Sequence, residues 1–303
     1  MFAGTSSFVP RFANAGFNGS NVVVFLPNGN STYNAFSAQI THRLANGLQG
    51  SAAYTWSHLI DDTTAEVFST VLSPRRVEDF QNLRRERATS ALDHRQRFVM
   101  SAIYDIPLFR DGRRWVSSIA GGWSLAGTLT FESGEMATVQ SGVDANLNGD
   151  SAGDRSIINL QGIKGTSSTV HAVDRNGNIV PNGSSTVVAY VADTPNAQYI
   201  QAGPGAKSNG GRNTLQMPGI NNLDFSIFKN FRITEGKKLQ FRVDFYNAFN
   251  HPQFVPGSIN GVELTSQTAV LGLLKTGSAQ FNQPDQAFSS HPRIIQLALR
   301  FNF

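Results

Sequence analysis

The segment from Arg293 to Phe303 alternates strictly. Ile295, Leu297, Leu299, Phe301 and Phe303 share one parity, and Ile294, Gln296, Ala298, Arg300 and Asn302 the other. Successive side chains of a β-strand point to opposite faces, so this segment is a strand with one apolar face and one largely polar face. Standing alone and ending in Phe303, such a strand would offer its backbone edge and its aromatic row to other chains. A closed membrane barrel removes the edge by pairing the last strand with the first, and lipid takes the apolar face. The competing placement is the edge strand of a soluble sandwich.

Composition favours the barrel. Charged residues make up 15% of the 303 positions and hydrophobic ones 40%, whereas soluble domains carry about 25% charged residues. Low charge without high apolarity suits polar side chains facing a lumen and apolar ones facing lipid. A helical membrane protein is excluded, because no run of about 20 apolar residues occurs. The absence of cysteine removes disulfides and thiolate metal sites. A formal charge of +4 on scattered basic residues leaves no nucleic-acid footprint, and no nucleic-acid partner is expected. The start, Met1-Phe2-Ala3-Gly4-Thr5, lacks the basic region and apolar core of an export signal, so a fragment of a longer exported protein is expected.

Strands are predicted along the chain. Asn21 to Leu26 reads as a short strand closed by Pro27-Asn28-Gly29. Tyr33 to Arg43 and Leu48 to Trp56 flank Asn46-Gly47, a pair that tolerates the positive φ of a hairpin turn. Tyr54 and Trp56 would belong to an aromatic belt. Ser57 to Asp93 is a long polar connection whose mixed charges predict a solvated surface, with a helical turn around Val77 to Ala88. Arg95 to Ile106 and Trp115 to Phe131 are the next strands, joined by a polar turn at Arg110-Asp111-Gly112-Arg113. Leu223 to Phe231 and Leu239 to Asn247 follow, the latter with Arg242 and Asp244 on the inner face. Each charge would cost roughly 2–4 kcal/mol at mid-depth on the lipid side, which fixes the register.

Between them, Glu132 to Asn221 is Gly-, Ser- and Asn-rich and too long for an ordinary loop, with strands expected at Val187 to Val191 and near Ile200. Within it, Asp144, Asn146, Asn148 and Asp150 alternate oxygen-bearing side chains around Gly149, the spacing that opens a calcium loop. Arg155 stands where a bidentate Glu would close such a loop, with Asp154 beside it, and an Asx-rich turn without metal explains the same letters. Asp144, Asn146, Asn148 and Asp150 are therefore candidate ligand contacts, and with Asp154 candidate calcium ligands. Gly203-Pro204-Gly205-Ala206-Lys207-Ser208 has phosphate-loop letters at the wrong spacing. His58, His94, His251 and His291 lie near loops or strand ends without a nucleophile motif, and no enzymatic activity is expected.

Connections alternate in length. They are short at 44–47, 107–114 and 233–238 and long at 57–93, 132–221 and 250–292, the pattern of periplasmic turns and extracellular loops in an outer-membrane barrel. About eight membrane strands result when the Asn21 to Leu26 strand is counted. The fold class is thus all-β, an antiparallel transmembrane β-barrel located in the cell outer membrane.

Several segments carry a resemblance. Tyr33-Asn34-Ala35, Tyr54-Thr55-Trp56-Ser57, Asp93-His94-Arg95-Gln96-Arg97-Phe98 and Gly121-Gly122-Trp123 are followed by Gly211-Arg212-Asn213, Pro218-Gly219 and Asn222-Leu223-Asp224. The run from Phe241 through Asn247-Ala248-Phe249-Asn250-His251-Pro252 to Gln253-Phe254 completes the set. In this order they resemble the C-terminal barrel of TonB-dependent outer-membrane receptors of the Oar-like kind. The terminal alternation ending in Phe303 also resembles the signal that barrel proteins present to the barrel-assembly machinery.

The resemblance implies a transporter whose barrel of about 22 strands encloses a plug and draws energy through a TonB box. Residues 1–303 would be its last third, without plug, TonB box or signal peptide, contacting outer-membrane lipid and reaching the TonB complex only in the full-length chain. The rival reading is a stand-alone barrel of eight strands acting as anchor or adhesin, calcium-dependent through the Asp144 loop.

Overall fold

Asn46 and Gly47 reverse the chain between the first two long strands. Their φ values are 50° and 84°, and a side chain on Gly47 would place its Cβ 2.3 Å from the Asp105 carbonyl oxygen of a neighbouring strand. The computed structural model describes residues 27–63, 77–79, 82–107, 119–149, 151, 153–234, 236–254, 272–288 and 290–303. The hairpin joins β1 (Ser31–Ala45) to β2 (Leu48–Asp61), with Phe36 opposite Trp56 and Thr41 opposite Ser51. The expected Asn21 to Leu26 strand lies outside the described residues.

Along the chain follow β3 (Ala88–Thr89), β4 (Gln96–Asp105), β5 (Trp123–Glu132), β6 (Met136–Ala137), β7 (Ile157–Ile158), β8 (Ile163–Ser168), β9 (Val170–Val173) and β10 (Ile179–Val180). The remainder are β11 (Ala189–Ala192), β12 (Ala197–Ile200), β13 (Leu215–Gln216), β14 (Ile220–Arg232), β15 (Lys238–Tyr246) and β16 (Ile294–Asn302). The long strands form one antiparallel sheet in the order β1-β2-β4-β5-β14-β15-β16, with β3 added to the end of β2.

Register makes the two faces continuous. One row runs through Leu48, Tyr104, Leu125, Ile227, Val243 and Leu297. The opposite face carries Thr41, Ser51, Ser101, Thr128 and Asp224 in a single row. The apolar face is not a protein core: Ile40 is 72% exposed and Leu299 69%. Burying one such side chain is worth about 1.5–3 kcal/mol, so a whole face of them requires a hydrocarbon environment. On β5, Trp123 and Phe131 stand eight positions apart, roughly 27 Å along the strand and about 20 Å in depth after a tilt near 40°. That approaches the apolar band of about 25 Å between the aromatic girdles of membrane barrels.

All three long connections, 62–95, 133–219 and 247–293, leave from one end of the sheet, and 46–47, 106–122 and 233–237 join strands at the other. The middle turn is longer than the sequence predicts. β5 starts at Trp123 rather than Trp115; Ile119 and Ala120 are helical, and 108–118 lie outside the described residues. Gly122, at φ 72°, turns the chain into β5 and accepts a hydrogen bond from the Asn230 amide at 2.9 Å. Apolar letters before that turn imitate a strand.

Among the described residues β1 pairs only with β2 and β16 only with β15. Direction alternates along the sheet, so the first and the seventh long strands run the same way and cannot meet as an antiparallel pair. Val243→Arg, at mid-depth on the apolar face, is expected to cost about 2–4 kcal/mol in a lipid-embedded unfolding titration followed by tryptophan fluorescence, whereas Gln296→Arg on the polar face should cost well under half of that.

Candidate functional site

The three long connections fold together into a cap. Ala91 from the first, Val139, Tyr199 and Met217 from the second, and Leu274 and Phe281 from the third share one buried core. The Tyr199 and Phe281 rings meet tilted at 57° with centres 5.9 Å apart, and the Tyr199 hydroxyl donates to the Thr214 carbonyl at 3.0 Å. Burial pushes that hydroxyl's pKa up. Three small sheets build the second connection: β10-β9-β11, β7-β12-β8 with β12 and β8 parallel, and β13-β6. β6 follows β5 directly and β13 precedes β14, so this part of the cap rises straight from two adjacent strands.

Charges fasten the cap to the sheet. The sequence predicts a solvated surface for 57–93, yet Asp61, Glu78, Glu86 and Asp93 are buried. Asp93 is held locally by the Leu59 amide and Arg95, but Asp61, Glu78 and Glu86 each meet an arginine of the second connection, about 70 to 150 residues away in sequence, which is why local charge patterning did not reveal them. Buried Arg155 pairs with the Glu86 carboxylate, approaches Glu78 at 3.8 Å and donates to the Arg85 carbonyl at 3.2 Å. Arg212 donates to the Glu86 carbonyl at 2.8 Å and to the Asp61 carbonyl at 2.8 Å, and pairs with the Asp61 carboxylate. Asn213 exchanges hydrogen bonds with Thr138 and donates to the Thr89 carbonyl at 2.8 Å. The Gly211-Arg212-Asn213 motif is therefore the joint between the cap and the ends of β2 and β3.

Below the cap, the polar face is a wall. A concavity of about 830 Å³ reaches from Arg43 on β1 to Arg242 and Tyr246 on β15, floored by Ser51, Ser101 and Thr128. Asp244, buried on this face as expected, accepts from Ser226 Oγ at 2.5 Å and from Arg242 Nε at 2.6 Å, while the Arg242 guanidinium lies 4.9 Å from the Phe228 ring centre. Hydroxyls, amides and a stacked guanidinium suit a polar occupant.

The predicted loop residues do meet. Asp144 accepts from the amides of Asn148 at 3.0 Å and Gly149 at 2.8 Å, and Asn146 Oδ1 accepts from the Asn148 amide at 3.0 Å. Asp154 reaches the loop base, its Oδ2 accepting from the Ala145 amide at 2.9 Å, and Asn146 donates to the Glu78 carbonyl at 2.8 Å. Asp150 lies outside the described residues. This is an Asx-type turn, and among the described residues no three His, Cys, Asp or Glu side chains form a metal-holding group. Arg155, at the position where a bidentate Glu would close a calcium loop, is engaged with Glu86.

Elsewhere on the cap, a hydrogen bond from Thr169, with His171 at 2.6 Å, holds the Asp193 carboxyl below the usual range. Asp174 is lowered chiefly by the Asn178 amide. Of the flagged histidines, His58 meets Thr89 at 3.2 Å and His94 faces Glu132 at 3.1 Å, while His251 and His291 engage Asn247 through their backbones.

Residues 4–296 match the family model described as outer membrane beta barrel domain. Comparison with curated proteins and with solved structures gives no match.

Arg155→Met leaves the buried Glu86 carboxylate without its cation, a change that typically costs about 3–5 kcal/mol. Hydrogen exchange is expected to accelerate across residues 133–219 while the amides of β4, β5 and β14 keep their protection.

Proposed function

The chain belongs to the outer membrane beta barrel domain family, and from that premise we propose that it is the C-terminal portion of the barrel of a TonB-dependent receptor. The observation that carries this reading is the ordered set of motifs from Tyr33 to Phe254, and the strand count is compatible with it. The seven long strands among the described residues, with parallel outer members, need an odd number of further strands to close, because bacterial single-chain barrels are antiparallel and even-numbered. A large barrel contributed by a longer chain meets that need. The ordered motifs from Tyr33 to Phe254 supply the receptor type by resemblance.

In this reading the cap is extracellular and binds the solute, and the polar wall lines the path to the periplasm. Outer-membrane lipid surrounds the apolar face, the barrel-assembly machinery takes the Arg293 to Phe303 strand, and the TonB complex engages only the full-length chain. Asp144, Asn146, Asn148 and Asp150 are the proposed cap contacts to the solute.

Two experiments test the reading. Cells producing the full-length chain should accumulate at least one of a panel of labelled ferric chelates, cobalamin and oligosaccharides in a manner abolished by a protonophore; uptake indifferent to the protonophore removes the receptor assignment. For the architecture, a cysteine at Val23 and another at Leu297 or Leu299 should not crosslink. A strong crosslink would instead establish an eight-stranded ring closed through the Asn21 to Leu26 segment, the anchor or adhesin alternative.

Calcium binding in the cap is a second reading, favoured by the meeting of Asp144, Asn146, Asn148 and Asp154 at one turn. Calorimetric titration with calcium is expected to give saturable binding that Asp144→Ala abolishes. Equal heats from both proteins would sink it.

A further inference from the structure

The last strand has a register problem that its side chains do not solve. A slip of one residue would turn the apolar row of β16 inward and is rejected, but a slip of two leaves every face correct. Phe241 faces Leu299 in the observed register and would face Leu297 or Phe301 in the slipped ones. Those apolar residues are nearly interchangeable in lipid. On the polar face Arg300 stands opposite Gln240 and would move opposite Lys238 or Arg242, a repulsion that water in the lumen weakens. No tight hairpin sets the register either, since 247–293 separates β15 from β16, and β16 has a single partner strand among the described residues.

A cluster of polar groups sits where the register is decided. Buried Asn247, directly after β15, donates through Nδ2 to the carbonyls of His251 and His291, both at 2.8 Å, and accepts from the His251 amide at 3.0 Å. Its own amide donates to Asp224 at 2.9 Å, which ties it to β14. Asn250 Oδ1 accepts from the Arg293 amide at 2.9 Å, immediately before β16, and Arg293 Nη1 reaches the Ala248 carbonyl at 3.3 Å. Gln253 continues the contact, its amide on the Ser290 carbonyl at 3.0 Å and its side chain paired with both backbone groups of Asn221. Asn247, Asn250 and His291 all have positive φ, between 47° and 53°, so the backbone is bent tightly at each contact.

We propose that Asn247 and Asn250 form a register lock: they fix the start of β16 against the end of β15 and so select one of several pairings that the alternating pattern leaves equivalent. The two are positioning residues for β16, and their role stands independently of the proposed transport function.

Residues 1–303 hold no cysteine, so engineered pairs within them test the lock in outer-membrane vesicles from cells producing the full chain, with any cysteine elsewhere replaced. Val243→Cys with Leu297→Cys reports the observed register, and Val243→Cys with Ile295→Cys or Leu299→Cys reports slips of two. With the lock intact, oxidation should favour the first pair. In Asn247→Gly and in Asn250→Gly, which keep the backbone able to hold positive φ, the slipped-to-native ratio should rise about tenfold, as expected for the loss of a hydrogen bond or two. Asn250→Gly removes one contact at an exposed side chain, so its insertion into the membrane is not at stake. An unchanged ratio in both variants overturns the lock.

Discussion

Hydrocarbon offers no hydrogen bonds, so every backbone group that crosses it must be paired within the protein. The sheet obeys this by making long, uninterrupted ladders, and the period of two then decides everything about its faces. Apolar side chains from β1, β2, β4, β5, β14, β15 and β16 collect on one side, where they are exposed in the isolated chain. The buried core lies in the cap instead. Among the described residues, Lys229 is a cation at an apolar-face position, opposite Trp123 and Phe241. It is buried, its ammonium held by the Gly121 carbonyl and lying 5.3 Å from the Trp123 ring centre and 5.1 Å from that of Phe231. Near the short-turn end of β14, it reaches a carbonyl beside the aromatic girdle and never presents its charge to lipid.

The cap follows different physics. The three long connections pool their apolar side chains into one core. Buried ion pairs contribute little net stability, because desolvation offsets most of the attraction. Their effect is selective: with Glu86 and Asp61 out of water, arrangements that lack Arg155 and Arg212 become costly. The first and second connections are thereby held together on the ends of β2 and β3, and the third joins them through the shared core.

The sheet was largely legible in the sequence because its determinant is local. Alternation located β2, β4, β14, β15 and β16 to within a few residues at most ends, and Asn46-Gly47 identified the first hairpin. The start of β5 was misplaced because Trp115 and its neighbours continue an apolar pattern across Gly122, where the chain turns. The cap was not legible, because its determinants are pairs distant in sequence. Nothing near Glu86 signals Arg155, and nothing near Asp61 signals Arg212. The Asp144 loop was located correctly as a turn, since Asx-turn chemistry is local, while the role of Arg155 depended on a residue in another connection.

The segments that resemble receptor barrels share a physical role. Arg212 and Asn213 join cap to sheet, Asn247 and Gln253 brace the ends of β14, β15 and β16, and Ser57 and Asp93 tie β2 to the approach of β4 through the His94 carbonyl at 2.8 Å and the Leu59 amide at 2.6 Å. Each is a junction between a strand end and a long connection. Junction geometry must be kept whatever the barrel carries, because it sets where the loops stand over the lumen. On the proposed receptor reading, solute selectivity would therefore reside between the junctions, on cap surfaces such as the Asp144 turn and along the polar wall, away from the contacts that position the strands.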